Sequence, residues 1–191
     1  QRIWTGDIEI HITADIAMGV MQYWAATGDD SFMRDYGADI VLDGASFWAS
    51  AATLEDDGKY HYRDVTGPDE YHDHVDDNAY TNHLAQWHLT VAGEVLQWLQ
   101  SHHPEHANEL GAKLGLSDDR VAEWAEVAAK MYLPQPGEDG VTEQFEGFFQ
   151  LEDADLALLR DPERTQPIQS ILGVERTEET QTLKQPDVLM L

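Results

Sequence analysis

The stretch richest in reactive groups is Arg63-Asp64-Val65-Thr66-Gly67-Pro68-Asp69-Glu70-Tyr71-His72-Asp73-His74-Val75-Asp76-Asp77-Asn78-Ala79-Tyr80-Thr81-Asn82. Six carboxylates fall between positions 64 and 77. Gly67-Pro68 sets a turn, so Asp69 and Glu70 are offered by a constrained backbone. Crowded carboxylates raise one another's pKa, because each negative charge disfavours the next ionisation. A carboxylic acid kept protonated near neutral pH is what a glycosidic leaving group requires. The same residues also read as a solvated acidic turn that caps the helix beginning near position 77. Local sequence leaves both readings standing.

Other groups carry weaker signals. His72-Asp73-His74 has the His-x-His spacing of a metal site. Against that stands a pair of histidines hydrogen-bonded to neighbouring carboxylates. His102, His103 and His106 surround Pro104 at a helix end, where a solvated cluster favoured by the helix dipole is the simpler reading. His11 and Asp15, four apart, either reach a cavity together or pair with each other. Glu143 and Glu146 flank Phe145 and either rim a cavity or point outward from a packed aromatic loop. Trp24, Trp48, Trp87, Trp98 and Trp124 read mainly as core, with a sugar-stacking role open to one of them.

The elements that must position these groups are mostly helices, since apolar residues recur at spacings of three and four. Residues 10–27 are apolar nearly all round and predict a deeply buried helix ending at Gly28. Asp29-Asp30 cap a second helix of about 24 residues whose stripe runs from Met33 to Ala51. Glu55–Gly58 is a turn, and the alternation over 60–65 predicts a short hairpin strand. After the polar loop 66–76, Asp76 or Asp77 caps a third long helix carrying Tyr80, Leu84, Trp87, Val91, Val95 and Trp98. A short helix is expected over 105–114, and Ser117 caps another through Tyr132. Residues 133–150 are irregular, 153–159 allow one or two turns, 160–180 read as loop, and 181–191 read as the start of a last helix. Long helices in antiparallel succession imply an all-α toroid or bundle.

Composition narrows the function classes. The chain has 191 residues, 37 acidic and 11 basic, for a formal charge of −26. That charge argues against nucleic acid and against an anionic membrane surface. With 42% hydrophobic residues the chain can still build a core. The scarcity of lysine among so many carboxylates fits either a high-salt proteome or an acidic mesophilic protein. Cysteine is absent, so thiol chemistry is excluded, and the expected location is cytoplasmic. No apolar run reaches the roughly 18 residues of a membrane helix. Gln1–Gly6 has neither an initiator Met nor a signal layout, and the chain stops on Leu189-Met190-Leu191. Both ends read as cut from a longer chain.

Four motifs in order resemble glycoside hydrolase family 65. Thr66-Gly67-Pro68-Asp69-Glu70-Tyr71-His72 with Val75–Asn82 resembles its catalytic segment. His11–Ala17 with Gln22-Tyr23-Trp24 and Thr27-Gly28-Asp29 looks like its upstream helix. Gln144-Phe145-Glu146-Gly147-Phe148-Phe149 looks like its aromatic loop, and Leu183-Lys184-Gln185-Pro186-Asp187-Val188-Leu189 like its Lys-Gln motif. The resemblance implies an all-α domain, roughly half of an (α/α)6 barrel with a short β-hairpin before the catalytic loop. The family's N-terminal β-sandwich and C-terminal β-domain are absent from residues 1–191. It implies inverting phosphorolysis of an α-linked glucose disaccharide, of kojibiose or trehalose type, to β-glucose 1-phosphate and glucose. Glu70 would be the general acid. Lys184 and Gln185 would hold the glucose of the cleaved bond, with His72, Asp69 and Tyr71 also at the substrate. Inorganic phosphate would be the co-substrate, with no cofactor and no metal, and the full-length protein would be a homodimer. Pro186 stands where the family usually has Ala, and suits the first turn of a helix. Two alternatives remain: inverting hydrolysis with a separate carboxylate base, and a non-catalytic helical sugar-binding module. A piece of this kind alone is expected to be inactive and to expose inner helix faces.

Overall fold

The computed structural model describes residues 5–155, 157, 160 and 165–191. The helices are α1 Thr5–Ile8, α2 Ile12–Thr27, α3 Asp30–Phe32, α4 Ala38–Ala51, α5 Ala79–His102, α6 Pro104–Leu114, α7 Asp118–Lys130, α8 Ile168–Leu172 and α9 Val174–Glu178. A π-helical turn, Met33–Gly37, joins α3 to α4. Two short strands, β1 Thr53–Leu54 and β2 Tyr60–His61, pair antiparallel with Thr53 opposite His61. The expected all-α class with a short hairpin ahead of the acidic loop is what the structure shows.

The chain divides into two compact units, Gln1–Ile10 with Arg63–Thr81 and Leu133–Leu191, and His11–Tyr62 with Asn82–Tyr132. The second unit is the helical one. Gly28 ends α2 at φ 64°, a left-handed conformation that glycine adopts without steric cost. Asp29 accepts a hydrogen bond from Phe32 N at 3.0 Å, as its capping position predicts. Ser117 caps α7 by accepting from Arg120 N, and Pro104 opens α6, where its missing N–H costs nothing. Trp48 and Trp124 are buried, whereas Trp24, Trp87 and Trp98 are half-buried.

The core of this unit contains one buried polar chain. Tyr62 Oη donates to Trp48 O at 2.9 Å, Trp48 Nε1 donates to His88 Nδ1 at 3.1 Å, and His88 Nε2 donates to Val41 O at 2.9 Å. A carbonyl and an indole N–H fix the imidazole as one neutral tautomer, accepting at Nδ1 and donating at Nε2. Burial pushes the His88 pKa down, against a smaller upward pull from the bond to Val41.

Several expectations change. Helix α2 is not buried all round. It buries Ala14, Ala17 and Val20, while Ile12 and Ile16 are exposed, because one helix face meets the core. The cap of α5 is Asn78, not Asp76 or Asp77. Asn78 Oδ1 accepts from Thr81 N at 2.9 Å, whereas Asp77 sits at φ 50° and pairs with Arg63. Residues 168–178 form α8 and α9 where a loop is expected. The last segment forms only a 3-10 turn, Asp187–Met190. Pro186 lacks an N–H, and Asp187 N is spent on the Gln144 side chain at 3.2 Å. The turns expected over 153–159 fall partly outside the described residues.

Candidate active site

The acidic loop belongs to the first unit. An antiparallel bridge closes its neck, with Val65 N to Val75 O and Val75 N to Val65 O both at 2.9 Å. Asp64 and His74 flank the bridge at φ 58° and 54°. Left-handed non-glycine residues cost about 1–3 kcal/mol each and persist where surrounding contacts over-determine them. Here His74 Nδ1 meets Asp64 Oδ1 at 2.6 Å, and that hydrogen bond raises the exposed His74 imidazole above its ordinary pKa. Glu70 lies midway along the loop, exposed, between the buried residues Asp69 and Tyr71.

Asp69 is 2% exposed and saturated with donors. Its Oδ1 accepts from Tyr71 N at 3.2 Å, Lys184 N at 2.9 Å and Gln185 N at 3.4 Å. Its Oδ2 accepts from His72 Nδ1 at 3.1 Å and Gln144 Nε2 at 2.9 Å. Burial alone would raise this carboxyl. The hydrogen bonds from His72, Lys184 N and Tyr71 N, with the His72 charge, outweigh burial and hold it below the ordinary carboxylate value. His72, 3% exposed, donates from Nε2 to Thr180 O at 2.9 Å and packs against Phe145 and Phe148 at ring separations of 5.1 and 5.7 Å.

Glu70 and Lys184 face each other outside this buried network, the ammonium Nζ donating to Glu70 Oε2. The contact raises the pKa of Lys184. Crowding alone implies that Glu70 has only like charges around it. The structure instead gives most of these carboxylates a hydrogen-bonding or charged partner. Asp64 has His74, Asp69 has the donors above, Asp77 has Arg63 at 2.8 Å, and Asp76 Oδ1 accepts from Asp64 N at 2.9 Å. Asp73 is the carboxyl with a raised pKa, through burial first and the charge of Glu178 second, with the Thr66 hydrogen bond opposing them.

Gly67 explains why the turn needs this residue. A Cβ there would lie 2.3 Å from both Asn78 Nδ2 and Asp187 Oδ2, which are hydrogen-bonded to each other at 2.7 Å. The loop backbone therefore packs directly on a buried amide–carboxylate pair.

The structure thus brings Glu70, Asp69, Tyr71 and His72 together with Lys184 and Gln185. Gln185 Oε1 is buried and accepts no hydrogen bond among the described residues. Glu146 pairs with Arg63 at 2.5 Å, and Glu143 accepts from Phe149 N at 3.0 Å, so both serve the packing of the aromatic loop. His11 pairs with Asp15 at 2.8 Å. No group of three or more His, Asp or Glu suited to a metal ion occurs among the described residues. Gln144, Asn78 and Asp187 lie inside the motifs quoted above, but the sequence assigned none of them a role. Only Asn78 had a legible signal, three residues ahead of Thr81 at a helix start.

Residues 1–191 match the family described as glycosyl hydrolase family 65 central catalytic domain. A kojibiose phosphorylase of Caldanaerobacter subterraneus subsp. tengcongensis is 40% identical over 192 residues, covering 100% of this chain and 25% of the relative. A 1,2-alpha-glucosylglycerol phosphorylase of Bacillus selenitireducens is 41% identical, covering 97% and 24%. A solved structure from the human microbiome, assigned as a kojibiose phosphorylase, superposes with a TM-score of 0.81 at 27% identity, over 93% of this chain and 23% of that one. These relatives are phosphorylases by description, and the last likeness agrees with part of a helical barrel. The chain spans about a quarter of the length of the curated relatives it matches. Among the described residues, no helix is long and apolar enough to cross a membrane.

Proposed function

Because the chain belongs to the central catalytic domain family of glycosyl hydrolase family 65, we propose that it is part of an inverting phosphorylase of an α-linked glucose disaccharide, of kojibiose or trehalose type. Glu70 is the general acid. It gives its proton to the glycosidic oxygen as the C1–O bond breaks and the bonding electrons pass to that oxygen. Phosphate, already anionic, forms the new bond to C1 from the opposite face, so one protein carboxyl suffices where hydrolysis needs two. The products are β-glucose 1-phosphate and glucose, and Glu70 regains a proton from solvent. No cofactor takes part.

The observation that carries this reading is that Glu70, exposed on the acidic loop between buried Asp69 and Tyr71, is met by Lys184 from 114 positions away. An ammonium on the acid sets an order of events. Sugar hydroxyls draw Lys184 away, and Glu70 then holds the proton it delivers. Gln185 offers a buried acceptor, Oε1, to a sugar hydroxyl. Asp69 and His72 lie directly behind these groups, with Tyr71 beside them.

The test uses the protein that carries this chain. Incubation with kojibiose or trehalose should yield glucose 1-phosphate only when phosphate is present. Glu70→Gln should lower turnover by about 10²–10⁴-fold, the usual worth of a general acid. Glucose released equally well without phosphate would refute phosphorolysis, and parent-level turnover by Glu70→Gln would refute the acid.

A further inference from the structure

Glu70 and Lys184 stand 114 positions apart in the chain, each on a loop with little secondary structure of its own. Something must fix their separation, because a displacement of about 1 Å at a reacting group can cost about 10²-fold in rate. Lys184 N and Gln185 N reach across to Asp69 Oδ1, the neighbour of Glu70. That bond alone would let the two loops pivot about one carboxylate.

His72 Nε2 to Thr180 O and Asn78 Nδ2 to Asp187 Oδ2 tie the segments further on, and one side chain bridges them at Asp69 itself. The Gln144 side chain is 3% exposed. Its Nε2 donates to Asp69 Oδ2 at 2.9 Å, and its Oε1 accepts from Asp187 N at 3.2 Å. One planar amide thus joins the residue before Glu70 to the residue three after Lys184. The Gln144 backbone carbonyl also accepts from Ala79 N at 2.9 Å, at the start of α5. Donor and acceptor are both required. Asp69 is a carboxylate with its oxygens already engaged by four other donors, and Asp187 offers an N–H, so a side-chain amide in this orientation satisfies both ends. The Phe145 ring beside it packs on His72, which holds the same carboxylate oxygen.

We propose that Gln144 is a positioning residue for the proton transfer: its side-chain amide clamps Asp69 to Asp187 and so sets Glu70 against the Lys184–Gln185 segment. The proposal rests on the reading of Glu70 as the acid. Loss of the clamp should displace Glu70 from the leaving oxygen while the glucose stays held by Lys184 and Gln185.

The experiment compares two substrates in the protein that carries this chain. One is whichever of kojibiose and trehalose it turns over faster. The other is α-glucosyl fluoride with phosphate, whose fluoride leaves without needing a proton. Gln144→Met removes both hydrogen bonds at similar volume. It should lower kcat on the disaccharide by about 10²-fold, with KM changed by less than about threefold, and should leave turnover of the fluoride within about threefold of the parent. Glu70→Gln, run in parallel, should show the same split. Equal losses of Gln144→Met on both substrates would assign Gln144 a purely structural role and overturn the proposal, as would parent-level activity on both. Parent-level disaccharide turnover by Glu70→Gln would instead refute the underlying acid assignment. Should Gln144→Met fail to fold, Gln144→Asn keeps the amide one carbon shorter and cannot span both partners. The same two-substrate comparison on that variant decides.

Discussion

Gly67→Ala is the sharpest test of how the acid loop is held. The new Cβ would lie 2.3 Å from Asn78 Nδ2, 2.3 Å from Asp187 Oδ2 and 2.8 Å from Asn78 Cγ. None of these atoms can swing into solvent, because Asn78 is 1% exposed and Asp187 0%. One methyl must therefore either shift the loop or separate the Asn78–Asp187 hydrogen bond of 2.7 Å. Overpacking costs about 1–3 kcal/mol, and breaking a buried hydrogen bond that involves a carboxylate adds about 1.5–3 kcal/mol. Either route alone costs about 1–3 kcal/mol, and both together cost about 2.5–6 kcal/mol. Asn78 also caps α5, so the damage spreads to that helix start. Urea denaturation followed by tryptophan fluorescence measures the stability, and disaccharide phosphorolysis measures the displacement of Glu70. Gly19→Ala is the control. Gly19 lies in α2, where an added Cβ would meet no atom within 4 Å, and Ala there should stabilise by about 0.5–1 kcal/mol. Stability within about 0.5 kcal/mol of the parent for Gly67→Ala, with undiminished turnover, would refute the packing argument.

Three further outcomes follow from the same contacts. Acid should weaken the helical unit through His88: its folded pKa is depressed, so between that value and the ordinary 6.5 the unfolded chain binds a proton that the folded one refuses. Stability should fall as pH drops below 6.5, and the slope should shrink in His88→Gln; an unchanged slope in urea titrations at successive pH values would assign it to other groups. Tyr62→Phe removes the buried hydrogen bond to Trp48 O and should cost about 0.5–1.5 kcal/mol, a figure that a denaturation midpoint indistinguishable from the parent's would contradict. The 191-residue chain alone should turn over no disaccharide and should self-associate, since Ile12, Ile16, Tyr36, Ile40 and Phe47 are exposed; turnover, or a monomer at every concentration in sedimentation, would refute this.

Local sequence determined the elements whose signals are local. Gly28, Asp29, Ser117 and Pro104 each act on a backbone within four residues, so the helix ends they mark are legible without any fold. The hairpin is legible for the same reason, its turn and its alternation lying within about twelve residues of each other. The four motifs placed Glu70, Lys184 and Gln185 as candidates. What the sequence could not contain is which charge sits beside which. Six carboxylates in one stretch imply mutual repulsion, but repulsion depends on distance in space. The fold separates them, giving Glu70 an ammonium from 114 positions away and leaving Asp73 as the carboxyl that burial raises. Asp69 and Gln144 look like an ordinary acid and an ordinary amide until tertiary contacts, 75 positions apart, join them into one buried clamp. Hydrogen bonds between loops follow no periodicity, so only the folded chain decides them.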